Sequence, residues 1–406
     1  MYDFHIIKGG VTAPLGFDAA GIRVPIREDN KRKPDLAAIY CRERAIVAGA
    51  FTTNVVKAAP VLWDMEIVKK GYARIIVANS GIANAATGKE GYNDMIKIIK
   101  SISEVWDIPE EEILVASTGV IGERLPVDRI IKKLPALKKK LGRDIKETYA
   151  KAIMTTDTFP KTAAVSLDID EHIVTIGGVA KGAGMIHPNL ATMLAFFTTD
   201  VNITKEMLDI AIKRVVEHSF NSITVDGDTS TNDTVLIMSS NMAGNRIIDK
   251  EDERFEKFYK ALEFVAQDLA KKIVKDGEGA TKLITIIVEG LKSYEDAKKI
   301  AVSIAKSNLV KTAFFGNDPN WGRILAAAGS AGVDFDPNKI EILLNDIPIV
   351  QDGITSEYFE ESIVKNEMKK KEVTLVVNFH NGPVSSTVWT CDMTYDYIKI
   401  NASYRT

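Results

Sequence analysis

A continuous apolar run that follows a glycine-rich segment constrains this chain more than any other feature. Residues 179–200 read VAKGAGMIHPNLATMLAFFTTD, in which the apolar run extends from Met193 to Phe197. A short apolar run that contains aromatic residues and follows turn-forming residues is typical of a buried strand. We therefore predict a buried strand here, with Thr192 at the junction between that strand and an irregular loop.

Thr192 could act as a nucleophile at such a junction. A threonine hydroxyl is a weak nucleophile by itself, but breaking the peptide bond between Ala191 and Thr192 would free an α-amine beside it. That amine, with a pKa of about 7.7–8.0, would serve as a built-in base. An isolated Ala-Thr pair is more simply interpreted as the start of a strand. Only the surrounding residues can indicate that the bond between Ala191 and Thr192 is cleaved.

Short apolar strands alternate with amphipathic helices along the chain. Residues 95–102 carry apolar side chains at helical spacing, whereas residues 373–379 alternate as in a half-exposed strand. Asn381-Gly382 then predicts a hairpin to a strand around Val388. This alternation predicts an α/β fold with mixed or antiparallel sheets rather than a single parallel sheet.

The composition indicates a globular chain without a strong charge preference. Of its 406 residues 46% are hydrophobic, which is enough for a sizeable core. Its 52 basic and 55 acidic residues give a net charge of −3, so nucleic acid and membrane surfaces are poor default partners. No leader or membrane-spanning run stands out, which predicts a cytoplasmic location. Cys41 and Cys391 form no disulfide framework and should be buried thiols.

The sequence lacks the motifs of common cofactors. Its five histidines have no metal-ligand spacing, no Walker loop is present, and no G-x-G-x-x-G opens a strand-helix unit. The acidic loop from Asp226 to Asp233 suggests a calcium loop, but Thr231 and Ile237 occupy the positions that need glycine and glutamate. We therefore expect no metal and no cofactor, and the role of this loop stays open.

Four sequence blocks together resemble the ornithine acetyltransferase family, the glutamate N-acetyltransferases of arginine biosynthesis. They are GGVAKGAGMIHPNLATML, STGVIG, MTTDTFPK and GNDPNWGR, the last with Asn317 in a variable position. The resemblance covers essentially the whole chain and implies a layered helix-sheet-sheet-helix sandwich. It also implies self-cleavage into two intertwined chains, residues 1–191 and 192–406, that assemble as two copies of each. Trp321 and Arg323 of the last block could belong to the site, to a subunit contact or to simple packing.

The resemblance implies catalytic roles for three residues. Thr192, freed by cleavage after Ala191, is the nucleophile that carries the acetyl group, and it also contacts the substrate. Thr118 and Gly119, in STGVIG, form the oxyanion hole. A Thr-Gly pair at the end of a strand suits that role because a hydroxyl and a backbone N–H can point the same way, although an ordinary turn would also explain the pair.

The resemblance further implies a set of substrate-binding residues from distant parts of the chain. Besides Thr192, these are Thr155, Lys181, Glu278, Asn401 and Thr406. Thr156 or Thr158 could take the place of Thr155, because the three threonines are close together. Lys181 could pair with a substrate carboxylate, and Glu278, which stands between two glycines, could approach the amine of ornithine.

The implied reaction is ping-pong transfer of an acetyl group from N2-acetyl-L-ornithine to L-glutamate through an acetyl-threonine, without a cofactor. Three alternatives stay open. A bifunctional enzyme would also accept acetyl from acetyl-CoA as a co-substrate, and an amidase or aminopeptidase with an N-terminal nucleophile would pass the acyl group to water. A non-catalytic binding or scaffold protein would keep the bond between Ala191 and Thr192 intact.

Overall fold

The computed structural model describes residues 3–28, 30, 33–187 and 193–403. Sixteen strands lie in this part of the chain. In chain order they are β1 (Phe4–Ile7), β2 (Phe17–Ile22), β3 (Leu36–Phe51), β4 (Tyr72–Ile82), β5 (Ile113–Val120), β6 (Lys161–Ile169), β7 (His172–Lys181), β8 (Leu194–Thr199), β9 (Ile223–Thr224), β10 (Thr234–Ser239), β11 (Leu283–Leu291), β12 (Glu341–Leu344), β13 (Ile347–Gln351), β14 (Ile354–Thr355), β15 (Glu372–Asn378) and β16 (Val384–Cys391).

Eleven α-helices occur in the same described residues. They are α1 (Ala59–Lys70), α2 (Gly88–Trp106), α3 (Val127–Lys140), α4 (Thr148–Ile153), α5 (Lys205–Glu217), α6 (Glu253–Lys275), α7 (Tyr294–Lys306), α8 (Asn308–Gly316), α9 (Trp321–Gly329), α10 (Glu361–Met368) and α11 (Tyr395–Ser403). The hydroxyls of Thr204 and Ser293 accept hydrogen bonds from backbone N–H groups in the first turns of α5 and α7. These side chains begin both helices because they satisfy donors that have no partner within the helix.

The first sheet has nine strands and contains the predicted buried strand. Its order is β1-β6-β7-β8-β10-β3-β4-β5, and β2 pairs with β3. The pairs β8–β10 and β4–β5 are parallel and the others are antiparallel, so the sheet is mixed. All six residues of β8 are buried. Phe197 enters the core on one face and Phe196 the core on the other, which confirms the buried strand predicted after Thr192.

The second sheet has seven strands in the order β14-β13-β12-β15-β11-β16-β9. It is mixed as well, because β11–β15 and β16–β9 are parallel pairs. The helices α7, α8 and α9 pack against it, and Ile300, Phe314 and Ile324 of these helices share a core with Ile286 and Val388 of the sheet. The predicted α/β class, a layered sandwich with mixed sheets, is confirmed.

The strands β15 and β16 do not form the predicted hairpin. β11 lies between them and pairs with both, so the connection crosses the end of β11 instead of folding back on its neighbour. The backbone N–H of Asn381 donates to the carbonyl of Gly290 in β11 at 2.6 Å. The hairpin prediction was wrong because a turn signal such as Asn381-Gly382 indicates where the chain reverses, but not which strand becomes its neighbour.

The helix α6 contacts strands of both sheets. Its residues Phe258, Leu262 and Leu269 are completely buried, and the helix packs across β6 and β7 of the first sheet. The same core continues into Trp389 and Cys391 of β16 in the second sheet. Because α6 ends at Lys275, its packing also determines where the next few residues lie.

The two cysteines and the lengths of the helices were also considered from the composition. Cys41 and Cys391 are buried free thiols, as predicted. Burial raises the pKa of the Cys41 thiol to about 11, so the reactive thiolate is scarce at neutral pH. Among the helices of the described chain, none combines the length and the apolar character that a membrane crossing needs.

Truncating a core side chain of α6 should destabilise the whole protein. Leu262 is completely buried, so Leu262→Ala should lower the free energy of unfolding by about 2–5 kcal/mol through lost contacts and the cavity left behind. Lys260→Ala, at an exposed position of the same helix, is the matched control and should change it by less than about 0.5 kcal/mol. Urea denaturation would measure both, and equal effects of the two substitutions would contradict this account of α6.

Candidate active site

One small cavity brings together six of the residues that the family resemblance implied. It has a volume of about 160 Å³, and its walls include Thr118, Gly119, Thr155, Lys181, Glu278 and Asn401. Thr156 also lines it, so the alternative considered for Thr155 stays open. The catalytic and binding roles of all these residues stay predictions. Ala191, Thr192 and Thr406 lie outside the described residues.

The predicted oxyanion pair lies at the end of β5. Here β5 runs parallel to β4, and Gly119 pairs with Gly81. Gly119 has a φ of +130°, and a Cβ at this position would lie 2.3 Å from the backbone carbon of Gly81, so the contact requires glycine. The Asn232 side chain braces the same place by donating to the Ser117 carbonyl at 2.8 Å. The end of β5 is thus held in one conformation, as the predicted oxyanion hole would need.

Lys181 places a buried cation in the wall of the cavity. It is the last residue of β7 and is 2% exposed, and its Nζ donates to Thr118 Oγ1 at 3.1 Å. Burial lowers the pKa of Lys181, and the nearby carboxylate of Asp157 is the strongest influence in the opposite direction. Because Thr118 Oγ1 accepts this hydrogen bond, the hydroxyl hydrogen of Thr118 is available to another acceptor.

Glu278 places a carboxylate in the same cavity. Its Oε2 accepts a hydrogen bond from Asn401 Nδ2 at 2.8 Å, and its backbone N–H donates to the Ala183 carbonyl at 2.8 Å. A Cβ added at Gly184 would lie 2.5 Å from the carboxyl carbon of Glu278, so the glycine leaves the space that this carboxylate fills. Asn401, predicted from the C-terminal tail, reaches the cavity on α11.

The acidic loop whose role was left open binds backbone N–H groups. Asp226 accepts from Met185 and Ile186 at 2.6 and 2.9 Å, and Asp233 accepts from Met193 at 2.7 Å. Burial raises the pKa of both carboxyl groups. The loop therefore anchors the chain on both sides of residues 188–192. No group of three or more His, Cys, Asp or Glu side chains that could hold a metal ion occurs in the described part of the chain.

Three charged residues behind the cavity were missed by the sequence analysis. Lys161 is completely buried between Asp157 and Asp276, at 2.7 and 2.5 Å. Asp157 belongs to the TTDT motif, in which the family resemblance implied a role only for a threonine. Nothing in the local sequence indicates that Lys161 turns inward, because most lysines are solvated.

Trp321 and Arg323 do not line the cavity. Trp321 packs against the core of the second sheet, and Arg323 donates to the Leu309 carbonyl at 2.9 Å. A subunit contact of either residue stays open. A larger cavity of about 750 Å³ lies beside Gly10 and Tyr149, and none of the predicted site residues that the structure describes lines it. The predicted chemistry is therefore concentrated in the smaller cavity.

Known proteins match this chain along almost its entire length. The profile of the ArgJ family matches residues 18–406. The arginine biosynthesis bifunctional protein ArgJ of Caldanaerobacter subterraneus subsp. tengcongensis is 47% identical over 406 residues, which cover 99% of this chain and 100% of the relative.

Two solved chains are also similar. The arginine biosynthesis bifunctional protein ArgJ of Bacillus halodurans is 42% identical with a TM-score of 0.50, covering 52% of this chain and 98% of that one. The ornithine acetyltransferase of Mycobacterium tuberculosis, solved with ornithine, is 36% identical with a TM-score of 0.42, covering 46% and 98%.

A layered fold that brings a buried lysine and a carboxylate to one small cavity is typical of an enzyme that acts on a small, charged molecule. The match over residues 18–406 makes the assignment specific: the chain belongs to the ArgJ family. It is an acetyltransferase of arginine biosynthesis, and the family resemblance found in the sequence is confirmed.

Adding a methyl group at Gly184 should lower activity without unfolding the protein. The new Cβ would overlap the Glu278 carboxylate, which can move away at little cost in stability but then leaves its place in the cavity. Gly184→Ala should therefore lower kcat/KM for acetyl transfer at least about tenfold, with little change in melting temperature. In Gly142→Ala, the matched control, the added Cβ meets no atom within 4 Å, and activity should be retained. Full activity of Gly184→Ala would refute the importance of this contact.

Proposed function

We propose that this enzyme transfers an acetyl group from N2-acetyl-L-ornithine to L-glutamate through an acetyl-Thr192 intermediate, after cleavage between Ala191 and Thr192. The observation that carries the proposal is the convergence of Thr118, Lys181 and Glu278 on one cavity. Met193, the residue after the proposed nucleophile, is anchored by Asp233 at 2.7 Å. Donors, opposite charges and the chain next to the nucleophile are thus fixed in one region.

The charges of the cavity suit both proposed substrates. Acetylornithine presents a carboxylate and a side-chain ammonium, and glutamate presents an amino group and carboxylates. The Lys181 ammonium can pair with a carboxylate, and the Glu278 carboxylate can accept hydrogen bonds from an ammonium. A cavity of about 160 Å³ has little room for two such molecules at once. Successive occupation by the two substrates is what a ping-pong reaction needs.

The chemistry follows from the proposed positions of these groups. Thr192 Oγ attacks the acetyl carbonyl while its own α-amine takes the hydroxyl proton, and the tetrahedral intermediate carries a negative oxygen. The Thr118 hydroxyl and the Gly119 N–H donate to that oxygen, and the Lys181 bond to Thr118 Oγ1 favours this orientation of the hydroxyl. The C–N bond then breaks and ornithine leaves with the proton. The glutamate amine attacks the ester, N-acetylglutamate leaves, and Thr192 regains its proton.

Several observations support a division into residues 1–191 and 192–406. The solved Bacillus halodurans chain aligns over 98% of its length with only 52% of this one, so it is about half as long. The division would separate β7 from β8, which pair in antiparallel fashion, and would place Lys181 and Glu278 on different pieces. Shared strands and a shared site would keep the pieces together. Two copies of each piece and a cytoplasmic location stay predictions.

A bifunctional enzyme is the second candidate. The curated relative from Caldanaerobacter carries the name bifunctional protein of arginine biosynthesis, which supports a second activity. We propose acetyl-CoA as the alternative acetyl donor, with the acetyl group passing to glutamate through the same threonine. Acetyl-CoA would then be a co-substrate, and the reaction would need no resident cofactor.

Intact mass and acetyl transfer together test the proposal. The native protein should give two species under denaturing conditions, residues 1–191 and 192–406, and should form N-acetylglutamate from acetylornithine and glutamate. Thr192→Ala should give one uncleaved species without transfer, because both steps need the same hydroxyl. Thr312→Ala, at an exposed position of α8, is the control and should behave as the native protein.

Transfer activity retained by Thr192→Ala would rule out the acyl-threonine mechanism. In parallel assays, N-acetylglutamate formed from acetyl-CoA and glutamate would establish the bifunctional enzyme, and no product would limit the enzyme to acetylornithine. Acetate released at the same rate without glutamate would instead indicate a hydrolase.

The proposed roles predict a bell-shaped dependence of kcat/KM on pH. Activity should rise as the Thr192 α-amine loses its proton, at about pH 7.7–8.0. It should fall again as the Lys181 ammonium is lost, below the ordinary lysine value of 10.5 because burial lowers this pKa. The charged groups that affect Lys181 are Asp157, Lys161, Asp233 and Glu278.

Lys181→Arg separates the two limbs of this pH profile. Because an arginine keeps its charge, the alkaline limb should move to higher pH and the acid limb should stay in place. Steady-state rates across the pH range measure both limbs. A native profile that stays flat from about pH 8 to 10.5 would exclude an essential Lys181 ammonium with a lowered pKa.

A further inference from the structure

A buried lysine lies behind the candidate active site without lining it. Lys161 begins β6, and its Nζ contacts Asp157 Oδ1 at 2.7 Å and Asp276 Oδ2 at 2.5 Å. The three side chains are 0%, 0% and 2% exposed. Removing such charges from water is costly, and a buried ion pair is weak evidence for a gain in stability.

Asp157 connects the lysine to two segments of the cavity wall. Its carboxylate accepts hydrogen bonds from the backbone N–H of Thr155 at 2.9 Å and from that of Gly182 at 2.8 Å. Thr155 lines the cavity, and Gly182 directly follows Lys181, which also lines it. Burial by itself would raise the pKa of Asp157, but the ammonium groups of Lys161 and Lys181 hold this pKa below its usual range. The carboxylate therefore stays ionised and keeps accepting these bonds.

Asp276 connects the same lysine to a third segment. Its carboxylate accepts hydrogen bonds from the backbone N–H of Thr158, at 3.0 and 3.2 Å to its two oxygens, and from the Thr158 hydroxyl. Glu278 follows two residues later, and its N–H donates to the Ala183 carbonyl at 2.8 Å. The contacts thus link the three segments in a closed ring, with the Lys161 ammonium joining its two carboxylates.

We propose that Lys161 is a positioning residue for the acetyl transfer, whose ammonium group holds the segments 155–158, 181–184 and 276–278 at fixed distances around the cavity. The proposal rests on the proposed function, because those segments carry Thr155, Lys181 and Glu278. Lys161 and Asp157 precede the proposed cleavage site and Asp276 follows it, so the same contacts join the two pieces. Lys161 touches no substrate and acts through its two carboxylates.

The distance between the Lys181 ammonium and the Glu278 carboxylate explains why a fixed link between their segments would help the reaction. Each substrate offers one charged group to the Lys181 ammonium and one of the opposite sign to the Glu278 carboxylate. Lys181 and Glu278 belong to different pieces of the chain. A misplacement of about 1 Å in a site can cost about a hundredfold in rate. A rigid buried ionic link between the segments prevents that misplacement without occupying space in the cavity.

The first experiment measures positioning independently of the reaction. In Asp276→Asn the charge that Lys161 bridges on the second piece is removed, while Lys161 keeps Asp157 as its partner. Hydrogen exchange of the three segments, followed by mass spectrometry, should become faster in this variant. Asp200→Asn is the matched control, because Asp200 is buried and also accepts from two separate segments, through Leu15 and Thr175.

The control lies far from the candidate site. Asp200 directly follows β8, at the end opposite to Met193, so the two residues are about 23 Å apart along the strand. Exchange in Asp200→Asn should change near its own partners and not in the three segments. Unchanged exchange of those segments in Asp276→Asn, or equal changes in the control, would overturn the proposal.

The second experiment measures the consequence for catalysis. In Asp276→Asn the KM for acetylornithine and that for glutamate should both rise at least about tenfold, with a smaller change in kcat, while Asp200→Asn keeps the native constants. Lys161→Met should lower kcat/KM more strongly. The double variant Lys161→Met/Asp276→Asn should be no slower than Lys161→Met alone, because both substitutions interrupt one link.

The outcomes separate this proposal from the proposed function. If the native protein transfers no acetyl group to glutamate, the proposed function fails, and the exchange measurement still shows whether Lys161 fixes the three segments. If the native protein is active and Asp276→Asn keeps native KM values, Lys161 is not a positioning residue. The proposal would also be overturned if the losses of kcat/KM in the two single variants multiplied in the double variant, because the two substitutions would then act independently.

Discussion

The antiparallel pairing of β7 with β8 is the interaction on which the candidate site depends. In this register Lys181, the last residue of β7, lies opposite Leu194, the first residue of β8. The paired strands therefore fix both ends of the intervening segment, and they place the buried cation beside the chain that leads to position 192. β8 lies inside the sheet with apolar cores on both faces. Lys181 and Leu194, at the two ends of the intervening segment, therefore cannot move independently of the core.

Buried charge is the second organising feature. The cavity combines a lysine and a glutamate with further carboxylates and a second lysine behind it, all largely removed from water. In such an environment each charge is stable only if partners are fixed around it, and electrostatic interactions are stronger than in water. The arrangement therefore favours a small, charged amino-acid substrate over a large apolar one, which agrees with an acetyltransferase of arginine biosynthesis.

The backbone carries much of the preorganisation. Asp226 and Asp233 accept main-chain N–H groups on either side of residues 188–192, and Asp157 does the same for two segments of the cavity wall. The acidic loop therefore fixes the chain beside the proposed nucleophile through these backbone hydrogen bonds.

The sequence by itself determined the buried strand, the α/β class and the family. These follow from local apolar patterns and from contiguous motifs, since a strand such as β8 is identified by its own residues. Six candidate residues, from Thr118 to Asn401, were found through the family resemblance, and they meet in one cavity. Tertiary structure decided the rest. The place of β11 between β15 and β16, and the contact of Lys161 with Asp276, depend on partners more than 75 residues away along the chain. Such pairings are chosen by the competition among all surfaces of the folded chain, and no local pattern records its outcome.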